Sequence, residues 1–212
     1  MIFLKEIDIL ILNKKYKNGE IKTDKKVAYT GTGDLNFLGL GAAERISFLF
    51  NKNTIIPNLL EARNIECGSS SSRMIDLPKL KKCEKIDFTY SRGFINLPEL
   101  VECDHILANK TPKVNLPKLK LANAIYFDNI SETLSLPELE DCLKIFANDA
   151  EEIHLPNLKE CDRIFCNHAK KIIIPENMVN RILRIPEGCQ IIHPEEQKLK
   201  ESFKSFFYKN IV

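Results

Sequence analysis

The stretch LPNLKECDRIF, residues 155–165, restates LPELEDCLKIF from nineteen residues earlier, and both restate LPKLKKCEKID at residues 77–87. Prolines at 57, 78, 98, 117, 137, 156 and 175 stand 21, 20, 19, 20, 19 and 19 residues apart. A period near twenty marks a solenoid, in which each unit buries its apolar side only by stacking on its neighbours.

The columns of the repeat carry the physical logic. Leucine precedes the proline (Leu77, Leu97, Leu116, Leu136, Leu155) and recurs two residues after it (Leu80, Leu100, Leu119, Leu139, Leu158). Five residues after it stand Cys83, Cys103, Ala122, Cys142 and Cys161, and eight after it stand Ile65, Ile86, Ile106, Ile125, Ile145 and Ile164. All are apolar and are expected to point inward. The tenth residue after it runs Phe88, Ala108, Phe127, Ala147, bulky alternating with small, as interdigitating layers of one core do. IDFT at 86–89 and MIDL at 74–77 alternate apolar with polar, the period of a half-buried strand, so each unit supplies two very short strands. Proline lacks a backbone donor and turns the chain at the corner between them. Phe37, Leu38, Leu40, Ala43, Ile46 and Phe48 fit the same template without proline, and Ile21, Val27 and Tyr29 fit it faintly. Eight stacked coils predict parallel ladders and a rod about 35 to 40 Å long.

Leu-Pro-x-Leu-x-x-Cys-x-x-Ile, closed by Ile-x-Leu-Pro, resembles the leucine-rich repeat superfamily, and most nearly its short bacterial surface-antigen (BspA-like) branch, whose phrase AKKIIIPENMV at 169–179 echoes. The resemblance covers about residues 37–190. It implies a mainly β, right-handed solenoid of roughly 20-residue coils with short parallel strands. It also implies a protein that binds other proteins with an exposed strand face.

The chain is expected to divide into a cap with a first faint coil at 1–36, the solenoid at 37–190 and an amphipathic capping helix at 191–212. IDILILNKKYKNGEIKT at 7–23 reads as strand, turn at Asn18 and Gly19, and strand. At the other end Leu199, Phe203, Phe206 and Phe207 share one helical face after a proline and two glutamates.

Thirty-one Lys plus Arg against 29 Asp plus Glu leave +2, which advertises neither nucleic acid nor an anionic membrane. Lys5, Glu6 and Asp8 interrupt the apolar opening before a signal-peptide core or a membrane span forms. Seven cysteines, an odd number, point to reduced thiols and a cytoplasmic setting, or a host cytoplasm for a delivered protein.

The ninth residue after each proline is expected to face outward and changes along the rod from Glu66 and Asp87 to Leu107, Tyr126, Phe146 and Phe165. Clustered outward aromatics mark an interface, or a strip covered by the C-terminal helix. A second outward strip, Asp76, Asn96, Asn115, Ser135 and His154, offers a wetter face. Asn109, Asp128, Asn148 and Asn167 are expected to brace turns through side-chain hydrogen bonds. No cofactor motif, zinc-ligand spacing or catalytic triad is legible, and the glycines of GTGDLNFLGLG at 31–41 are expected to serve turns, since no phosphate-loop lysine follows. The first expectation is a non-enzymatic protein-binding module, monomeric or weakly dimeric, that covers a functional surface of a larger protein. The alternatives are a polyanion binder using Lys14, Lys15, Lys17, Lys25 and Lys26 with Tyr16 and Tyr29 for stacking, and a carbohydrate-active β-helix enzyme.

Overall fold

A computed structural model describes residues 1–29, 31–48, 52–67, 73–89, 91, 93–130 and 133–196. The chain coils as a parallel β solenoid of eight turns, with one broad sheet and two narrow ones on its sides. The broad sheet stacks Ile2–Leu4, Ile21–Tyr29, Leu40–Phe48, Glu61–Glu66, Lys82–Asp87, Glu102–Leu107, Leu121–Tyr126, Asp141–Phe146 and Glu160–Phe165 in that order. The first narrow sheet joins Leu35–Asn36, Asn53–Ile55, Met74–Asp76, Phe94–Asn96 and Lys113–Asn115. The second joins Thr133–Ser135, Glu152–His154, Lys171–Ile173 and Gln190–Ile192.

The Leu-Pro-x-Leu phrase is a hydrogen-bonded β-turn. In each copy the second leucine donates its backbone N–H to the carbonyl of the first, as Leu80 does to Leu77 at 3.2 Å and Leu158 to Leu155 at 3.3 Å. Proline at the second position of such a turn presets the required φ and gives up a donor that the turn does not use. A second turn follows the broad strand in four coils, closed by the N–H of Ser91 to the C=O of Phe88, Thr111 to Ala108, Ala150 to Ala147 and Ala169 to Cys166. The inward columns are buried as the repeat requires: Ile86, Ile106, Ile125, Ile145 and Ile164 are fully enclosed, as are Phe88 and Phe127, and Cys83, Cys103, Cys142 and Cys161 are buried. Burying one such aliphatic side chain contributes about 1.5 to 3 kcal/mol. The asparagine column braces the turns: Asp128 accepts from the backbone N–H of Asn148 at 3.0 Å and from its side-chain amide at 2.9 Å.

The amino-terminal end departs from the strand-turn-strand expectation. Glu6–Lys15 is a helix. Asp8 accepts the N–H of Lys5 at 2.7 Å, Glu6 and Asp8 sit in the first turn, and Lys14 and Lys15 in the last, which complements the helix dipole. Ile9 and Leu12, three apart, pack on the open end of the core. The apolar run IDILIL at 7–12 reads as a strand, but tertiary contact selects the three-residue spacing of Ile9 and Leu12 instead. Asn13 fastens the helix by accepting the N–H of Leu38 at 2.9 Å.

The faint first coil is a full member of the broad sheet, with Val27 opposite Ile46 and Tyr29 opposite Phe48. Its ladder carries register shifts near Ile21 and between Thr23 and Lys26, and these irregularities are why the template matches poorly there. Gly41 serves close approach: a Cβ at this position would stand 2.0 Å from the carbonyl oxygen of Gly19. One residue after the proline the column Lys79, Glu99, Lys118 and Glu138 alternates in charge; Lys118 meets Glu99 at 2.6 Å, whereas Lys79 donates to Asn58 at 2.9 Å. The expected apolar helix face of Leu199, Phe203, Phe206 and Phe207 lies outside the described residues, although residues 194–196 are helical.

Candidate functional site

The parallel register brings Leu107, Tyr126, Phe146 and Phe165 into one outward column of the broad sheet. Tyr126 and Phe146 stack with centroids 4.7 Å apart and planes 7° from parallel, and Phe146 and Phe165 at 4.4 Å and 5°. A further bridge between Ile164 and Ile182 sets Leu183, 61% exposed, next in line. The four earlier residues are half-buried, because each ring is flanked by its neighbours along the rod. Two residues upstream on the same face run His105, Ala124, Lys144 and Arg163, so basic side chains border the apolar strip on one flank. Toward the amino terminus the column turns acidic and is neutralised: Glu66 lies 3.7 Å from both Lys26 and Arg45, and Asp87 lies 3.9 Å from Lys85.

The expected second strip divides in two. Asn115 donates to Asn96 at 2.8 Å and Asn96 to Asp76 at 2.8 Å, a hydrogen-bonded ladder on the first narrow sheet. Ser135 and His154 are opposite each other on the second narrow sheet, and that sheet does not pair with the first. His154 turns to Glu152 at 2.9 Å, and Lys171 reaches the same carboxylate at 3.2 Å. Lys171, followed by His154, holds the Glu152 carboxyl below the usual carboxylate range. The continuous wet face expected from the column is therefore two half-faces.

The lysines expected for polyanion binding are spread over three settings. Lys14 and Lys15 close the helix, Lys17 follows it, and Lys25 and Lys26 lie on the strand Ile21–Tyr29. Lys15 sits 5.2 Å over the ring of Tyr16. Tyr29 is 3% exposed, so it offers no stacking surface, and burial, reinforced by Glu6 and Asp34, pushes its hydroxyl pKa up.

The thiol columns are interior, and no two of the cysteines are joined as a disulfide. Cys83 donates to the carbonyl of Lys85 at 3.2 Å and Cys142 to that of Lys144 at 3.3 Å. Burial pushes Cys142 and Cys166 up to about 12 and Cys161 to about 11. Cys189 is half-buried, the most accessible of the seven. Iodoacetamide at about pH 8 should therefore add once to the native chain, at Cys189, and reach the other thiols only after denaturation. Peptide mapping that finds Cys83 or Cys161 alkylated first would contradict this burial. Among the described residues no group of three His, Cys, Asp or Glu side chains is placed to hold a metal ion.

Beside the thiol column the broad sheet is troughed, and here the structure gathers what the separate columns did not suggest. A hollow of about 400 Å³ carries Glu44, Glu61 and Glu84, with Arg63 bridging Glu44 at 3.0 Å and Glu84 at 2.7 Å. It continues into one of about 300 Å³ between Glu102, Asp104, Asp141, Glu160 and Asp162. Two outward columns flanking the cysteines supply these carboxylates, Glu61, Glu102, Asp141 and Glu160 from one and Glu44, Glu84, Asp104 and Asp162 from the other.

No described helix is long and apolar enough to cross a membrane. No family model matches the chain, and no curated protein or solved structure is significantly similar to it.

Proposed function

We propose that this chain is a non-catalytic protein-binding module, a scaffold akin to leucine-rich repeats that occupies the surface of a larger protein through the strip Leu107, Tyr126, Phe146, Phe165 and Leu183. The observation that carries the reading is the stacked aromatic ladder on a rigid sheet. Aromatic side chains held in place before binding lose little conformational entropy on association, and such residues dominate interface energies. The stacking also favours protein over nucleic acid. Each ring already uses its faces against the next ring, so it offers an apolar edge to a partner and no free face to a base. The basic flank of Lys144 and Arg163 suits acidic side chains at the rim of the partner's apolar patch.

The test uses the immobilised full chain, lysate of the source organism with and without nuclease treatment, and titration of the purified retained protein. Phe146→Asp should lower its affinity about 100-fold, the loss of one interface anchor. Unchanged affinity in Phe146→Asp would remove the strip from the interface. Retention of nucleic acid, released when Lys14, Lys15 and Lys17 are replaced by alanine, would favour the polyanion reading in its place.

A further inference from the structure

Along the narrow side of the rod, the residue that opens each corner donates its backbone N–H to a carbonyl of the next coil. Leu97 donates to Asn115 at 3.1 Å and Leu136 to His154 at 3.0 Å. Leu116 stands at the same place between them, is 2% exposed, and makes no such bond among the described residues. The carbonyl in the equivalent position is that of Ser135. Here the two narrow sheets end: Lys113–Asn115 and Thr133–Ser135 do not pair and lie beyond the separation that neighbouring short strands keep elsewhere. On the broad side the same coils remain in register. The result is a cleft of about 320 Å³ walled by those two strands and floored by Phe127 and Ile130.

Backbone geometry says what the cleft presents. In a parallel ladder a residue's N–H and C=O address one neighbouring strand, and the next residue's address the other. The bond from Leu97 to Asn115 directs Asn115 away from the cleft, so Val114 and Leu116 face it. The bond from Leu136 to His154 directs Leu136 onward, so Thr133 and Ser135 face back into it. Two parallel strand edges with open backbone groups therefore confront each other across an apolar floor. A buried N–H left without an acceptor costs about 1 to 3 kcal/mol, which an inserted carbonyl recovers.

We propose that this cleft takes up a short extended segment of a partner protein as an additional parallel strand, joining the two narrow sheets. Its backbone bonds Val114 and Leu116 on one side and Thr133 and Ser135 on the other. One apolar side chain of the segment rests on Phe127 and Ile130, and its neighbours, pointing outward, are polar. The site lies on a different sheet from the aromatic ladder and stands independently of it.

The probe is the blocked peptide acetyl-Thr-Val-Thr-Val-Thr-amide, titrated into the isotope-labelled full chain while backbone amide resonances are followed. Saturable shifts are expected at Leu116 and Ser135. The same peptide methylated on its valine nitrogens should give none. Ser135→Pro withdraws one donor from the cleft at an exposed position whose N–H bonds no other backbone group among the described residues, and should weaken binding about tenfold, while Ser135→Ala binds as wild type. Absence of saturable shifts at these amides, or binding indifferent to both N-methylation and Ser135→Pro, overturns the proposal. So does peptide binding that appears only when residues 197–212 are deleted, which would make the chain's own terminus the occupant, or only on dilution of a dimer, which would make it a second copy.

Discussion

Raising the pH to 11 is expected to remove on the order of 7 kcal/mol of folding stability through three buried thiols, Cys142, Cys161 and Cys166. Their folded values lie near 12, 11 and 12, pushed up by burial, against about 9 for an exposed thiol. The native state therefore holds protons that the unfolded chain releases. This stabilisation is fully present below about pH 8.5 and is lost as the pH climbs through the folded values, at about 1.4 kcal/mol per thiol per pH unit. A loss of that size rivals the whole stability of an ordinary domain, so urea midpoints should collapse between about pH 9 and pH 11. Lysine ion pairs also titrate in this range. Comparison with the variant carrying both Cys142→Ala and Cys166→Ala isolates the thiols, because its stability should fall less steeply by about two protons. Parallel pH profiles for the two chains would refute the assignment.

A second large effect separates adjacent residues. Ile145→Asp places a carboxylate in the fully enclosed isoleucine column between Ile125 and Ile164. It should cost 4 kcal/mol or more, roughly the limit that single substitutions reach. Phe146→Asp, one residue further, lies on the outward face and should cost about 1 to 3 kcal/mol in stability, chiefly its two ring stacks, while abolishing the binding anchor. Thermal unfolding of the two variants checks the pair directly. Similar melting temperatures would mean that the alternation of the broad strands is wrong by one residue, since a one-residue slip exchanges the two faces.

How much of this was legible beforehand depends on how local the cause is. The corner at Leu136, Pro137 and Leu139 is written within four residues, and the inward place of Ile145 follows from strand alternation, so both are readable from one unit. The aromatic column was readable too, because a constant step between units aligns Tyr126, Phe146 and Phe165 whatever the details of the coil. Ile7, Ile9 and Ile11 misled because a short apolar run rich in β-branched residues suits a strand, whereas the open end of the first coil needs a lid, and Ile9 with Leu12 supplies it as a helix. The carboxylate trough needed two columns at once, Glu102 and Asp104 with Asp141, Glu160 and Asp162.

The sequence by itself determined the solenoid, its period, its core columns and the drift from acidic to aromatic along the outward face, because each follows from side-chain chemistry repeated at a fixed step. Only the tertiary structure decided that the narrow side splits between Asn115 and Ser135 while the broad side stays closed. Nothing in Lys113–Asn115 or Thr133–Ser135 distinguishes them from strands that pair. Whether two coils meet on both sides depends on how their turns and core side chains tilt one against the other, and that tilt exists only when the coils are stacked.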